Sequence, residues 1–271
     1  MRLKIEWAKR HLANLEDSIE TTLAAEGEHF ISKFDPQTGQ QVYRAHKLPD
    51  INPEWSLMIG DTLHNLRSAL DHLAWQLVIL DGQKPGEQTQ FPIRETPFSK
   101  KGNLTPTQLT PPIRSAEIVD ALEKAQPYQG PDGEPIRPDW NPLLHLSRLN
   151  NIDKHRLLLV VSRVLDFGQM WWGGPTNMPT PALKISTAPL EEGSPVAWFD
   201  WGEAEPPDYF NPHITLTVSL NEPATVSQLH PTPVPALTLL RTICDWVEGE
   251  VVSCLFEPLF AQAHSKLPAL R

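Results

Sequence analysis

Apolar residues recur every three or four positions from residue 3 to 27. Ile5, Ala8, Leu12, Leu15, Ile19 and Leu23 have charged residues between them, a period that predicts an amphipathic helix. His29 to Phe34, a turn at Asp35-Pro36-Gln37-Thr38-Gly39, and Gln41 to Ala45 predict a small β-hairpin within 28–46. Asn52-Pro53 is a helix start, with Asn as cap and Pro in the first turn; the helix should run to Leu80 and stop at Asp81-Gly82. Residues 82–112 are rich in Pro, Gly and Thr and should form an irregular loop anchored by Phe91-Pro92-Ile93. Pro111-Pro112 should open a helix to Ala125, and Asn141-Pro142 another through Asp153. After His155 the period changes. Leu157 to Val161 is a continuous apolar run, and 182–187, 195–201 and 212–220 have strand character, which together predict an antiparallel sheet. A long apolar helix should follow from 235 to 256, ended by Pro258. The expectation is a single α+β domain over 1–271. It has a core of about five helices, helical over 1–156, β-rich over 157–220 and closed by a C-terminal helix over 233–262.

The composition fits a chain with a sizeable core: 40% hydrophobic and 21% charged over 271 residues. No apolar run approaches the roughly 18 residues of a membrane span. Met1-Arg2-Leu3-Lys4-Ile5-Glu6 has no apolar signal core. We expect a cytoplasmic protein with no membrane partner. Cys244 and Cys254, ten residues apart in one predicted helix, would be about 15 Å from each other. That is too far for a disulfide, so both should be reduced and buried. The net charge of −10 opposes sequence-independent nucleic-acid binding, so a phosphate ligand would need a local positive pocket. There is no Gly-x-x-x-x-Gly-Lys, Gly-x-Gly-x-x-Gly, Gly-x-Ser-x-Gly or Cys-x-x-Cys, which removes support for the corresponding enzyme classes.

The helix over 52–80 carries the main signal. Ile59, Leu63, Leu66, Leu70, Leu73 and Leu77 form its apolar stripe. Away from that stripe stand Asp61, His64, Asn65, Arg67, Ser68, Asp71 and His72, with Trp75 and Val78 beyond them, in place of the usual Lys and Glu. Two readings stand side by side. Arg67 and Asp71 at i, i+4 could be a structural bridge, or the face could line a ligand site. A second cluster, Arg148, Asn150, Asn151, Asp153, Lys154, His155 and Arg156, sits where a helix gives way to a strand. Cations at a helix C-terminus balance its dipole, but that does not account for the paired Asn or the Asp. Trp171, Trp172, Trp198 and Trp201 in the β segment either pack the core or stack on a ligand.

The blocks Leu63-His64-Asn65-Leu66-Arg67-Ser68-Ala69-Leu70-Asp71-His72-Leu73-Ala74, Phe91-Pro92-Ile93 and Leu149-Asn150-Asn151-Ile152-Asp153-Lys154-His155-Arg156 resemble those of a group of uncharacterised bacterial proteins. The spacings Arg67 to His72 and Arg148 to His155 also resemble the Arg-x4–6-His hallmark of the HEPN superfamily of helical ribonucleases and nucleotide-binding domains. Ser68 and Leu149 depart from the Asn that often follows the Arg in that family. This likeness implies metal-independent RNA cleavage or nucleotide binding, in a toxin or phage-defence setting, by a homodimer without a cofactor. His72 or His155 would be the general base, Arg67 with Lys154 or Arg156 would steady the phosphate, and Asp71 would orient them. His64, Asn65, Arg148, Asn150, Asn151 and Asp153 would bind the ligand. One alternative is a metal-binding hydrolase using His64, Asp71 or His72, Asp153 and His155, although His64 and Asp71 are about 10 Å apart along the helix. The other is a non-catalytic protein that binds a ligand or forms a dimer through this face.

Overall fold

A computed structural model describes residues 1–25, 29–97, 113–129, 141–155, 161–166, 180–186, 190–207, 210, 212, 215–220 and 234–266. The class is α+β, as the periodicities predict. In chain order the elements are α1 (Arg2–Ala25), β1 (Phe30–Asp35), β2 (Gln40–Ala45), α2 (Glu54–Leu80), α3 (Ala116–Lys124) and α4 (Pro142–His155). Then come β3 (Val161–Asp166), β4 (Ala182–Ile185), β5 (Pro195–Asp200), β6 (Thr215–Leu220), α5 (Ala236–Asp245), a π-helical stretch (Trp246–Phe256) and α6 (Glu257–Lys266).

The apolar stripe of α2 is fully buried, and so is that of α1 apart from its partly buried last member, Leu23. The two helices pack along each other and run antiparallel. Lys4 Nζ reaches Asn65 Oδ1 at 3.2 Å, while Trp55 Nε1 donates to Ser18 Oγ at 2.9 Å. Helices α4 and α5 and the π-helical stretch close the other side of this core. Both Asn-Pro starts work through the Asn side chain: Asn52 Oδ1 accepts from the Glu54 N–H at 2.9 Å, and Asn141 Oδ1 from the Leu143 N–H at 2.8 Å. Since Asn141 is buried, Asn141→Ala should cost about 1 kcal/mol in urea unfolding. Helix α2 ends in a Schellman motif. Gly82, at φ 74°, and Gln83 return their N–H groups to Ile79 and Val78.

The sheet differs from the expectation in one respect. The N-terminal hairpin is not an isolated ornament. Its strands are half of a four-stranded antiparallel sheet ordered β1-β2-β5-β4, in which Tyr43 stands opposite Ala197 and Gln41 opposite Phe199. Tyr43, Phe199, Trp201 and Phe210 pack edge-to-face in a second core on this sheet. Strands β3 and β6 pair separately, and β6 links the cores: Leu216 lies in the sheet core, Val218 and Leu220 in the helical one. Trp201 therefore packs in the core. Trp198 is half-buried, with Lys184 Nζ 5.2 Å from its ring centre. Trp171 and Trp172 lie outside the described residues, as does the 157–160 portion of the apolar run.

Two boundaries and one burial expectation are corrected. Helix α3 starts after Ser115, whose Oγ caps the Ile118 N–H; Pro111-Pro112 lies outside the described residues. Asp81 holds the approach to it, accepting from the N–H groups of Arg114 and Ser115 at 2.8 and 2.7 Å. The last helix does not end at Pro258, which sits in the first turn of α6. Wide i→i−5 turns precede it, the last from Glu257 N–H to the Val252 carbonyl, and they absorb the register change and accommodate the ring. Both cysteines are free, but only Cys244 is buried. Burial pushes its thiol up to about 11, while Cys254 is exposed. Among the described residues no helix is long and apolar enough to cross a membrane.

Candidate functional site at the α2–α4 seam

The polar face of α2 divides into two shoulders. Gly60, His64, Arg67 and Asp71 follow one another at spacings of four, three and four on the shoulder toward α4. His72 stands about 100° round from Asp71, on the shoulder toward α1 that also carries Asn65. Val78, expected on the polar face, is fully buried, whereas Trp75 is exposed.

Arg67 and Asp71 have a structural task. Arg67 Nη2 donates to Asp71 Oδ1 and to the Phe91 carbonyl, each at 2.8 Å, and Phe91 N–H donates to Asp71 Oδ1 at 2.9 Å. The side chains are 12% and 30% exposed, so these are partly desolvated, charge-assisted bonds. They lock the backbone of Phe91, whose ring is fully buried and meets Phe256 edge-on with centroids 6.1 Å apart. The next turn of this loop is held from the opposite side. Buried Gln126 donates to the Pro92 carbonyl at 3.1 Å and accepts from Arg94 N–H at 3.0 Å. Arg148 is likewise engaged, with Nη2 3.0 Å from Glu95 Oε1. The bridge reading therefore describes Arg67 and Asp71: Arg67, expected to meet phosphate, and Arg148, expected to bind the ligand, both already bind protein oxygen atoms.

What does come together is a smaller group. Helix α4 passes so close to α2 that a Cβ at Gly60 would sit 2.7 Å from Asp153 Oδ1. A side chain at 60 would push the carboxylate aside. Asp153 is thus lodged at the seam, where burial and, secondarily, the Asp61 charge raise its pKa, opposed by nearby His64. His64 and Asp61 are exposed, so the seam is open to solvent on one side. Asn65 is fixed beside it: Oδ1 takes Lys4 Nζ, and Nδ2 donates to the Asp61 carbonyl at 2.8 Å. One turn before Asp153, Asn150 is 5% exposed and its Oδ1 is buried without a hydrogen-bond partner. Asn151, Lys154 and His155 are exposed at the end of α4, and Arg156 lies outside the described residues.

The two sequence clusters therefore meet through Gly60, Asp61, His64 and Asp153. Among the described residues no hydrogen bond or ion pair involves His72, Lys154 or His155. Nor do three or more His, Cys, Asp or Glu side chains gather where they could hold a metal ion. Sequence reasoning missed Gly60 as a spacer, Glu95 as the partner of Arg148, and Gln126. Of these, Gly60 left a readable signal: a glycine inside a strong helix is costly unless another chain approaches closely. The chain matches no protein-family model, no curated protein and no solved structure.

Proposed function

We propose that the chain is a metal-independent, HEPN-like protein acting on RNA or a nucleotide, with its working groups at the α2–α4 seam and its setting in the cytoplasm. The observation that carries this is Asp153: a carboxyl pressed against Gly60, biased toward holding its proton, beside the exposed imidazole of His64. A carboxyl that burial biases toward its protonated form and a neighbouring imidazole make an acid–base couple. On RNA, His64 takes the proton of a ribose 2′-hydroxyl as that oxygen attacks phosphorus. Asp153 gives its proton to the departing 5′-oxygen, leaving a 2′,3′-cyclic phosphate. Lys154, at the end of α4 with His155 beside it, is the cationic group for the phosphate in place of the engaged Arg67. This assignment transfers the acid–base role from His72 to His64 and leaves Arg67 and Asp71 to the fold.

The test is incubation of the purified protein with end-labelled single-stranded RNA in excess EDTA. Cleavage to cyclic-phosphate ends is the expected result. A protein that neither cleaves RNA nor binds a nucleotide by calorimetry contradicts the proposal.

A further inference from the structure

The four-stranded sheet has a core face and an outer face. Side chains alternate along each strand, and Gln41, Tyr43, Ala197 and Phe199 turn to the core. The residues between them face outward. Lys33 stands opposite Val42, Val42 opposite Trp198 and Trp198 opposite Lys184, one row that crosses all four strands. With neighbouring strands about 4.8 Å apart, the row is about 14 Å long. Beside it, on the same face, Ile31 stands opposite Arg44. Ile31, Lys33, Arg44 and Lys184 are exposed, while Val42 and Trp198 are half-buried.

Three cations thus surround one indole in a chain of net charge −10. This is the local positive surface that a phosphate ligand needs. Lys184 Nζ is 5.2 Å from the centre of the Trp198 ring. Arg44 is diagonal to Trp198 across the β2–β5 pair, within reach of a long side chain. Its Nη1 donates to the Gly193 carbonyl at 3.3 Å, and the other guanidinium N–H groups remain for a ligand. Among the described residues no carboxylate pairs with Lys33, Arg44 or Lys184. The acids that follow on this face, Asp35 and Asp200, each accept a turn N–H at 2.9 Å, from Gln37 and Gly202. Cations alone would suit any polyanion. An indole among them adds a surface on which a base can stack, and an open sheet face admits an extended strand with its bases unstacked. A duplex keeps its bases stacked on one another and offers no such contact.

We infer that the outer face of the β1-β2-β5-β4 sheet is a second binding site, built from none of the seam's residues, that holds a single-stranded polynucleotide. A base stacks on Trp198, and the phosphates beside it rest on Lys33, Arg44 and Lys184. This site goes beyond the acid–base reading of the seam and stands without it.

Fluorescence anisotropy of a labelled oligothymidylate on the full chain reads this site apart from cleavage, because DNA lacks the 2′-hydroxyl that the seam reaction uses. An oligouridylate in parallel shows whether RNA is preferred. Binding is expected, and a duplex of the same length should bind clearly more weakly. Trp198→Leu should weaken binding about tenfold, the scale for one base stacked on an aromatic ring. Three phosphate contacts give a slope of about −2 in log K against log salt, and Lys184→Gln should reduce it by about 0.7. Circular dichroism should be unchanged in both variants. If Trp198→Leu does not fold, Lys184→Gln and Lys33→Gln, at exposed positions, carry the test. Failure of both oligonucleotides to bind overturns the proposal, and so does binding that the folded variants leave unchanged. A polyglutamate peptide that binds as tightly also overturns it, since the face would then take acidic protein. Oligothymidylate binding through Trp198 by a chain that cuts no RNA would uphold this site and count against the seam chemistry alone.

Discussion

Asp71→Ala should lower the stability of the chain by about 3 kcal/mol, the scale for removing one member of a desolvated ion pair. The substitution leaves the Arg67 guanidinium, 12% exposed, with only the Phe91 carbonyl. It also strips the Phe91 N–H of its acceptor, and an unpaired buried donor carries a desolvation penalty of about 1–3 kcal/mol. At 2–4 °C per kcal/mol the melting temperature should fall by about 6–12 °C, read by thermal circular dichroism. Asp71→Asn keeps an oxygen for the Phe91 N–H and should lose clearly less. Equal losses for the two variants would mean that the charge alone matters and that the loop is not held through this bond. RNA cleavage by the Asp71→Ala protein, assayed cold where it remains folded, should persist, because Asp71 belongs to the clamp.

The seam should behave in the opposite way. His64→Ala and Asp153→Asn should each reduce RNA cleavage by about 10²–10⁴-fold, the usual worth of a general acid or base. Neither should unfold the protein. For Asp153 the sign of the stability effect can be worked out. Its pKa is raised in the folded chain, mainly by burial and next by Asp61, so the folded state binds this proton more tightly than the unfolded one. The contribution is fully present in acid and is lost as pH rises through the raised value. Above that value the folded chain holds an unfavourable charge at the seam, which Asn removes. Asp153→Asn should match the wild type in acid and exceed it once the pH has passed the raised value, read as melting temperature against pH. A substitution that stabilises a protein while abolishing its activity marks a site held against the preference of the fold.

Much of this architecture was legible because the signals are local. The 3.6-residue period of α1 and α2, the Asn-Pro starts at Asn52 and Asn141 and the Gly82 stop each depend on neighbours within one turn. What escaped depends on contacts between distant segments. The edge partner of β2 is β5, more than 150 residues later, and no local pattern states that pairing. The π-helical stretch over Trp246–Phe256 reads as an ordinary apolar helix, since its sequence has no proline before Pro258 and only the single Gly249 within it. Its turns keep α1 in register with the C-terminal helices, where Glu16, Lys9 and Arg2 pair with Arg241, Glu248 and Glu257. The first spacing on that side is seven residues, as on α1, and the second is nine, the extra two taken up by the wide turns. For the candidate site, residue type singled out α2 but not which neighbour each of its polar side chains faces. Arg67 and Asp71, the strongest pair by composition, face the Phe91 loop. Gly60, which carries no chemistry, is what lets Asp153 reach His64.

The most direct test of a working acid–base pair at the seam is the cleavage rate of a ribo-oligonucleotide in EDTA by Asp153→Asn protein at a temperature where it is folded. A rate below about 1% of wild type is expected. Cleavage at the wild-type rate would show that the carboxyl against Gly60 takes no part in the chemistry.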